Sequence, residues 1–490
     1  MNTKKICFAF DYIFPTFILP NATMTEIGIA NYLMSLYSNR AKDCTFFEHG
    51  FGERGLTVSD FFDNSIGGSS NTGTGFFYQA SSYTNKFDYR EDSLFRINKS
   101  GQNFIYPVKS SPQFSNFIGL GNGVPDKVQG NYFWKYMSKE ALELVRRKKG
   151  KIFIDYSMEP FIDKYMHDDF HSTLKFSGID KDSIIMCVNS FNAKECYESW
   201  YTEAERRYKV VNLPFCLEYT SWFFDTRLKE GHKISMSEED FINSKNVIRN
   251  NHFLMKMRNI RHHRLPLFFK MISDNLLNLG DWSFLSTDNL ITEDTIKHTI
   301  WQYKLSDINI DSINDILNSA PHLLQSEENA NFDIVNAWTD EHFSPYINSY
   351  FEICQESFVH GEHKSLTEKI FKPIANYQPF LFVAYPGALK LLRELGFKTF
   401  NGFIDESYDE VTNIPEKISK IYNEIKRLCG MNKEELHKWY WSMKDILIYN
   451  RNLLLEYHRK RSYGEELMNE FGGVSMPETI TTQFLGSQVL

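Results

Sequence analysis

The residues Thr367-Glu368-Lys369 bring a hydroxyl, a carboxylate and an ammonium together at one point of the chain. A carboxylate accepts hydrogen bonds from hydroxyls such as those of a ribose, and a lysine meets a diphosphate as a compact positive charge. A helix that opens at this triplet adds free N–H groups and the positive end of its dipole, so anions bind there. The set suits a ligand that is part diol and part phosphate, which describes a nucleotide-sugar. A further carboxylate, Glu356, ends the apolar run that begins at Tyr350.

The elements that must position these groups are read from the same stretch. Tyr350 to Cys354 has the apolar continuity of a buried strand, and Phe380 to Ala384, opened by Pro379, has it again. Between them, Ser365 to Ile374 reads as a turn leading into a helix whose first turn carries Glu368 and Lys369. After Tyr385-Pro386-Gly387 a second helix runs from Ala388 to Leu395, closed by Gly396. Strand, loop, helix, strand, turn, helix is the order of a parallel α/β unit.

At these residues the chain resembles a known family. Glu356-Ser357, a short loop, Thr367-Glu368-Lys369-Ile370 and then Pro379-Phe380 look like the donor-binding motif of α1,3-fucosyltransferase-type GT-B glycosyltransferases. Those enzymes carry Glu-Asn-Ser, where this chain has Gln355-Glu356-Ser357. Gly396-Phe397-Lys398-Thr399-Phe400 and Phe403 to Asp409 extend the likeness to glycosyltransferase-like proteins of phages, large viruses and bacteria. The resemblance covers roughly residues 250–410. It implies two Rossmann-like domains facing across a cleft, with C-terminal helices. It also implies transfer of a hexose or fucose from a nucleotide-sugar co-substrate, with no other cofactor.

Arg258-Asn259-Ile260-Arg261-His262-His263-Arg264 lies between an apolar strand, His252 to Met257, and a helix. Leu265, Phe268, Phe269, Ile272, Leu276 and Leu279 mark that helix, and Gly280 is expected to terminate it. Positive side chains at a helix N-terminus oppose its dipole, a local cost that is easier to understand if an anion binds between them. In the resembling family an arginine of this region reaches the donor diphosphate, with Arg258 and Arg264 the candidates here. The implied donor set is Arg258, His263, Arg264, Glu356, Thr367, Glu368 and Lys369. No Asp-x-Asp of the kind metal-dependent GT-A enzymes use is recognised, so no metal ligand is assigned. Fixed positive charge would then stabilise the leaving diphosphate.

An inverting transfer also needs a carboxylate to deprotonate the acceptor hydroxyl. Lys151 to Ile154 is an apolar strand followed by Asp155 and Glu159, which sets both carboxylates near a strand's carboxyl edge. These two are the candidate bases, and Asp11, after the run Ile6 to Phe10, is the third.

Composition bounds the reading. A chain of 490 residues, 42% hydrophobic and 16% aromatic, can bury sizeable cores and favours two or three domains. The formal net charge of −8 counts against broad nucleic-acid binding, because phosphate neutralisation supplies most of that affinity. Nucleic acid is therefore an unfavoured partner, and a glycan or other hydroxyl acceptor is preferred. No apolar run approaches the length of a membrane span. After the charged start Met1 to Lys5, the short apolar run broken by Asp11 reads as a first strand, Lys5 to Phe10, rather than a signal peptide. Cys7, Cys44, Cys187, Cys196, Cys216, Cys354 and Cys429 are scattered, with no CxxC, which favours reduced thiols and a cytoplasmic location.

Along the rest of the chain, Thr25 to Tyr37 and Ser138 to Lys149 read as helices, and the Gly-rich stretch 50–75 as a loop. Ile184 to Val188 and Tyr208 to Leu213 read as strands. The polar stretch 235–251 is taken as the domain junction, and 287–345 as irregular. Ile414, Ile418, Ile421, Ile425 and Leu428 mark a helix, and Asn432 with Glu435 a capping box that opens one more, reaching about Tyr457. The expected organisation is an acceptor domain over 1–240, a nucleotide-sugar domain over 241–430, and helices and tail over 431–490. Two alternatives stand beside a glycan-modifying enzyme: a glycosyltransferase acting on DNA or RNA bases, and a non-catalytic nucleotide- or glycan-binding protein.

Overall fold

The computed structural model describes residues 5–10, 88–93, 104–109, 139–156, 163–175, 178–257, 261–284, 291–324, 343–460 and 470. The chain divides into two compact units, Met1–Phe215 with Ser462–Leu490, and Cys216–Arg461.

The first unit carries β1 (Lys5–Phe10), β2 (Asp88–Ser93), β3 (Phe104–Lys109), β4 (Gly150–Tyr156), β5 (Ile184–Val188) and β6 (Lys209–Asn212). Its helices are α1 (Lys139–Arg146), α2 (Lys164–Lys175) and α3 (Ala193–Trp200). The strands form one sheet in the order β2-β1-β3-β4-β5-β6, every pairing parallel. Parallel neighbours need crossover connections, which is why helices alternate with β4, β5 and β6. β5 is buried along its whole length. Its Ile184, Met186 and Val188 pack with Ile152 and Ile154 of β4, Phe170 of α2 and Tyr197 of α3. The strands read at Lys5–Phe10 and Ile184–Val188 are present with those bounds. β2 was not anticipated, since Asp88-Tyr89-Arg90-Glu91-Asp92-Ser93 has no apolar run; it lies at the sheet edge. Asp155 is the penultimate residue of β4, in register with Lys109 and Cys187. Asp11, Glu159, the stretch 25–37 and the Gly-rich stretch 50–75 lie outside the described residues.

The second unit carries β7 (Asn251–Met257), β8 (Asp281–Phe284), β9 (Ser349–Gln355) and β10 (Phe380–Val383). Its helices begin with α4 (Phe215–Lys229), α5 (Glu238–Asn243), α6 (Leu265–Ser273), α7 (Glu293–Gln302), α8 (Ile310–Asn318) and α9 (Ser344–Asn348). They continue with α10 (Glu368–Ala375), α11 (Ala388–Glu394), α12 (Ile414–Cys429), α13 (Lys433–Ser442) and α14 (Lys444–Lys460). The sheet order is β10-β9-β7-β8, again all parallel. The chain leaves β7 to one side for β8 and returns to its other side for β9. Open α/β sheets bind ligands outside the carboxyl ends of the strands at such a reversal. The fold class is therefore α/β, with a parallel, Rossmann-like sheet in each unit.

Three local expectations are corrected. The helix after the basic loop ends at Ser273, not at Gly280: Asn275 turns left-handed at φ 55° and a 3-10 turn follows. Gly280 has extended backbone, and the Phe253 ring occupies the space a Cβ would need. The stretch read as irregular contains α7 and α8, each opened by a side-chain cap, Thr292 on Thr295 N and Asn309 on Ser312 N. The capping box at Asn432 and Glu435 is present, but the expected single helix breaks at Met443 into α13 and α14.

The polar stretch 235–251 lies inside the second unit. It contains α5, whose Phe241 is fully buried and stacks on Tyr377 at 4.2 Å. Among the described residues no helix is long and apolar enough to cross a membrane.

Candidate functional site

The carboxyl ends of β7 and β9 lie side by side at the sheet's reversal point, and the loops that follow them meet there. β9 is buried at every position and hands the chain to Glu356, whose N–H extends the ladder to Val383 O at 2.9 Å. Its carboxylate faces inward, with the residue 2% exposed. Oε1 accepts the Thr367 backbone N–H at 2.9 Å, and Oε2 accepts the Thr367 hydroxyl at 2.7 Å and the Ser357 N–H at 3.2 Å. Glu356 therefore acts on the site through Thr367, the N-cap of α10.

Thr367 has extended backbone and its hydroxyl oxygen accepts from Lys369 N at 3.4 Å, as an N-cap does. The same oxygen accepts from Lys369 Nζ at 3.3 Å. Lys369 Nζ also donates to Glu368 Oε1 at 2.8 Å. The Glu368 and Lys369 side chains remain 28% and 31% exposed, so both charges are reachable from solvent. Burial works against the charged form of Glu368, but the Lys369 and Lys372 ammoniums outweigh it and bring the carboxyl down to about 2. Burial likewise opposes the Lys369 charge, and Glu368 and Glu356 overcome it and raise its pKa. The pair is an ion pair across the whole physiological range.

The loop after β7 clamps the end of β9 from the other side. His263 is 8% exposed, and its Nε2 donates to Glu356 O at 2.9 Å. Burial drives its pKa down to about 4, so the ring is neutral near pH 7, with the proton on Nε2. Arg264, 5% exposed, donates through Nε and Nη2 to Glu356 O at 3.3 and 3.0 Å, and through Nη2 to Gln355 O at 3.3 Å. Its guanidinium is thus engaged with the strand end and supplies positive charge from below the surface. Arg258 lies outside the described residues. Sequence reasoning passed over Arg261, which is exposed and lies 5.8 Å over the Phe358 ring.

A second layer of charge sits beneath α10. Lys256 donates to the Tyr346 hydroxyl at 2.5 Å and stands 3.9 Å from Glu352, a carboxyl raised by burial. Burial first, then the Lys256 charge, lowers Lys372 to about 8. Gln355 and Tyr385, at the carboxyl ends of β9 and β10, carry buried polar atoms without a hydrogen-bond partner: both amide atoms of Gln355 and the Tyr385 hydroxyl. Buried polar groups are normally paired, so these two are unusual. No spacing rule in the sequence points to them. The N-terminus of α11 is already filled, since Asp409 accepts from Leu389 N and Lys390 N at 3.0 Å each.

One sequence observation needs revision. Asp180-Lys181-Asp182 does have the letters of an Asp-x-Asp motif. It forms a 3-10 turn at the amino end of β5, where Asp180 pairs with Lys148 at 2.7 Å and caps Asp182 N. Among the described residues, no group of three or more His, Cys, Asp or Glu side chains is arranged to hold a metal ion.

No family model matches the chain, and no curated protein matches it. Solved structures do. The apo structure of OtsA aligns at 9% identity and a TM-score of 0.35, over 77% of this chain and 95% of that one. An α,α-trehalose-phosphate synthase (UDP-forming) from Burkholderia vietnamiensis aligns at 10% identity and a TM-score of 0.36, over 78% and 95%. The E. coli trehalose-6-phosphate structure bound with UDP-2-fluoro glucose aligns at 10% and 0.37, over 96% and 99%. At these scores the likeness carries no argument about what this chain does.

Proposed function

We propose that the chain is a GT-B-type glycosyltransferase that moves a sugar, a hexose or fucose, from a nucleotide-sugar to a hydroxyl acceptor such as a glycan, without a metal ion. One observation carries this reading. At the reversal point of the second sheet, a clamped strand end fixes a helix N-terminus that presents a solvent-accessible carboxylate and ammonium.

In this reading Glu368 accepts from the ribose hydroxyls and Lys369 meets the diphosphate. As the bond between the anomeric carbon and the diphosphate oxygen breaks, the electron pair stays on that oxygen. Charge fixed before the reaction stabilises it most effectively. Lys369 and Arg261 supply that charge directly, Arg264 supplies it from beneath, and Arg258 joins them. In an inverting transfer the acceptor oxygen attacks the anomeric carbon while a carboxylate takes its proton. Asp155 and Glu159 are the candidates for that base, and Asp11 the third.

The experiment is a panel of nucleotide-sugars screened by thermal shift, followed by donor hydrolysis and transfer assays on the parent and on Asp155→Asn. A bound donor raises the melting temperature by mass action. Transfer is expected to fall in the amide variant while donor binding stays at the parent value, because a base acts on the acceptor proton and not on the nucleotide. Unaltered transfer moves the base to Glu159 or Asp11. A donor that binds but is neither hydrolysed nor transferred favours a binding protein over an enzyme.

A further inference from the structure

The second unit also holds a cavity of about 730 Å³, whose lining includes the apolar Leu228, Met236 and Leu455 and the polar Lys233, Ser235 and Arg451. That volume is in the range of small-molecule sites. Of the acidic groups around it, Asp225 is neutralised by cations, whereas Asp240 and Glu238 are held by neutral donors. Asp225 accepts from Lys229 at 2.9 Å and also pairs with Arg459. Asp240 accepts from the Ser237 hydroxyl at 2.7 Å, and Glu238 from Asn452 Nδ2 at 3.4 Å.

Two cations of the lining have no carboxylate bonded to them among the described residues. Lys233 is exposed, and no ion pair to it is found among the described residues. Arg451 is 7% exposed; its guanidinium donates to main-chain carbonyls, Ala375 O at 3.2 Å and Met236 O at 3.3 Å, and lies 4.9 Å over the Tyr377 ring. Glu238 acts on it from longer range without forming a pair. A buried guanidinium without a bonded carboxylate, an exposed lysine and an apolar wall together ask for an anion with an apolar body.

The floor of the cavity is also tied to the candidate site. Ala375 O accepts from both Arg451 Nε and the Ser235 hydroxyl, the latter at 2.8 Å. Ala375 is the last residue of α10, the helix whose first turn presents Glu368 and Lys369. The helix is eight residues long, so its two ends are about 12 Å apart at 1.5 Å per residue.

We propose that this cavity is a second ligand site, for a small amphipathic anion, a carboxylate or phosphate monoester on an apolar body, and that its occupation is felt along α10 through the Ala375 carbonyl. A ligand drawing on Arg451 or Ser235 competes for donors that now hold the helix's C-terminal end, and any such coupling acts reciprocally on the other end. The proposal does not depend on the nucleotide-sugar reading, because none of the measurements below uses a nucleotide.

The test is calorimetry on the full chain with octyl phosphate and octanoate, each below its micelle concentration, against 1-octanol and inorganic phosphate. At least one octyl anion is expected to bind one to one, with octanol, which lacks the charge-assisted interaction, and inorganic phosphate, which lacks the apolar chain, each about tenfold weaker or more. Which anion binds more tightly separates the carboxylate from the phosphate source. Lys233→Ala should weaken binding several-fold. Leu228→Trp, which fills the cavity, should abolish it while the melting curve keeps its cooperativity. Hydrogen exchange over residues 368–375 should change in rate when the octyl anion is added. The site is overturned if octanol binds as tightly as the anions, if no octyl anion binds, or if both variants bind like the parent. Binding that leaves exchange over 368–375 unaltered overturns the coupling to α10.

Discussion

Thr367 donates twice to one carboxylate: its backbone N–H reaches Glu356 Oε1 at 2.9 Å and its hydroxyl reaches Oε2 at 2.7 Å. The two residues are far apart in the local chain, one ending β9 and the other opening α10. Their clasp sets where the helix begins relative to the sheet, and so where Glu368 and Lys369 project.

Thr367→Val removes the hydroxyl and keeps the shape. It should destabilise the protein by about 1–2 kcal/mol, the cost of a lost cap and of a carboxylate oxygen left with one weaker partner. Thr367→Ser should stay within a few tenths of the parent. Urea unfolding followed by circular dichroism checks both. A valine variant as stable as the parent means the clasp does not hold the helix.

His263 predicts a pH dependence of stability. Its pKa is lowered from 6.5 unfolded to about 4 folded, chiefly by burial. The unfolded state therefore binds the proton more readily. The contribution is fully present above pH 6.5 and is lost as the pH falls from 6.5 toward 4. By linkage the loss over that window is about 3 kcal/mol at most. His263→Gln keeps an N–H near the position of Nε2 and cannot titrate, so its stability should fall less steeply between those pH values. His171 of the first unit is also lowered to about 4 and remains in both proteins, so the difference between them isolates His263. Parallel pH profiles would mean that His263 titrates normally.

Turnover should survive excess EDTA, because Lys369, Arg261 and Arg264 gather positive charge where the diphosphate is proposed to leave. Activity that vanishes with EDTA and returns only with added magnesium or manganese would transfer that role to a metal.

Regular elements were legible where burial dictates residue type. Ile184 to Val188 is a strand because every position is buried, and α12 spans Ile414–Cys429 because its apolar residues recur at helical spacing. Chain reversals were harder to read. Asn275 adopts the left-handed turn that follows the helix, which sequence reasoning had ended at Gly280, while Gly280 is needed for the close approach of Phe253. α7 is mostly solvent-facing, so its pattern is weak and its cap is the clearer signal; α8 does carry Ile310, Ile313, Ile316 and Leu317 at helical spacing, a short pattern that sequence reasoning passed over. In the candidate site, the triplet Thr367-Glu368-Lys369 was visible because three functional groups are adjacent in sequence. The clamp of His263 and Arg264 on the Glu356 carbonyl was not, because main-chain acceptors leave no trace in residue type. The unpaired Gln355 amide was invisible for a related reason: a missing partner is a property of packing.

The central claim is that the first turn of α10 binds a nucleotide-sugar. Titration calorimetry of the parent, Glu368→Ala and Lys369→Ala with a panel of UDP-, GDP-, CMP- and dTDP-sugars tests it most directly. The account predicts saturable binding of at least one donor by the parent. It also predicts a loss of about 1.5–3 kcal/mol in each variant, roughly ten- to hundredfold in affinity, with unfolding curves like the parent's. A parent that binds none of these donors, or variants that bind the best donor as tightly as the parent, would contradict it.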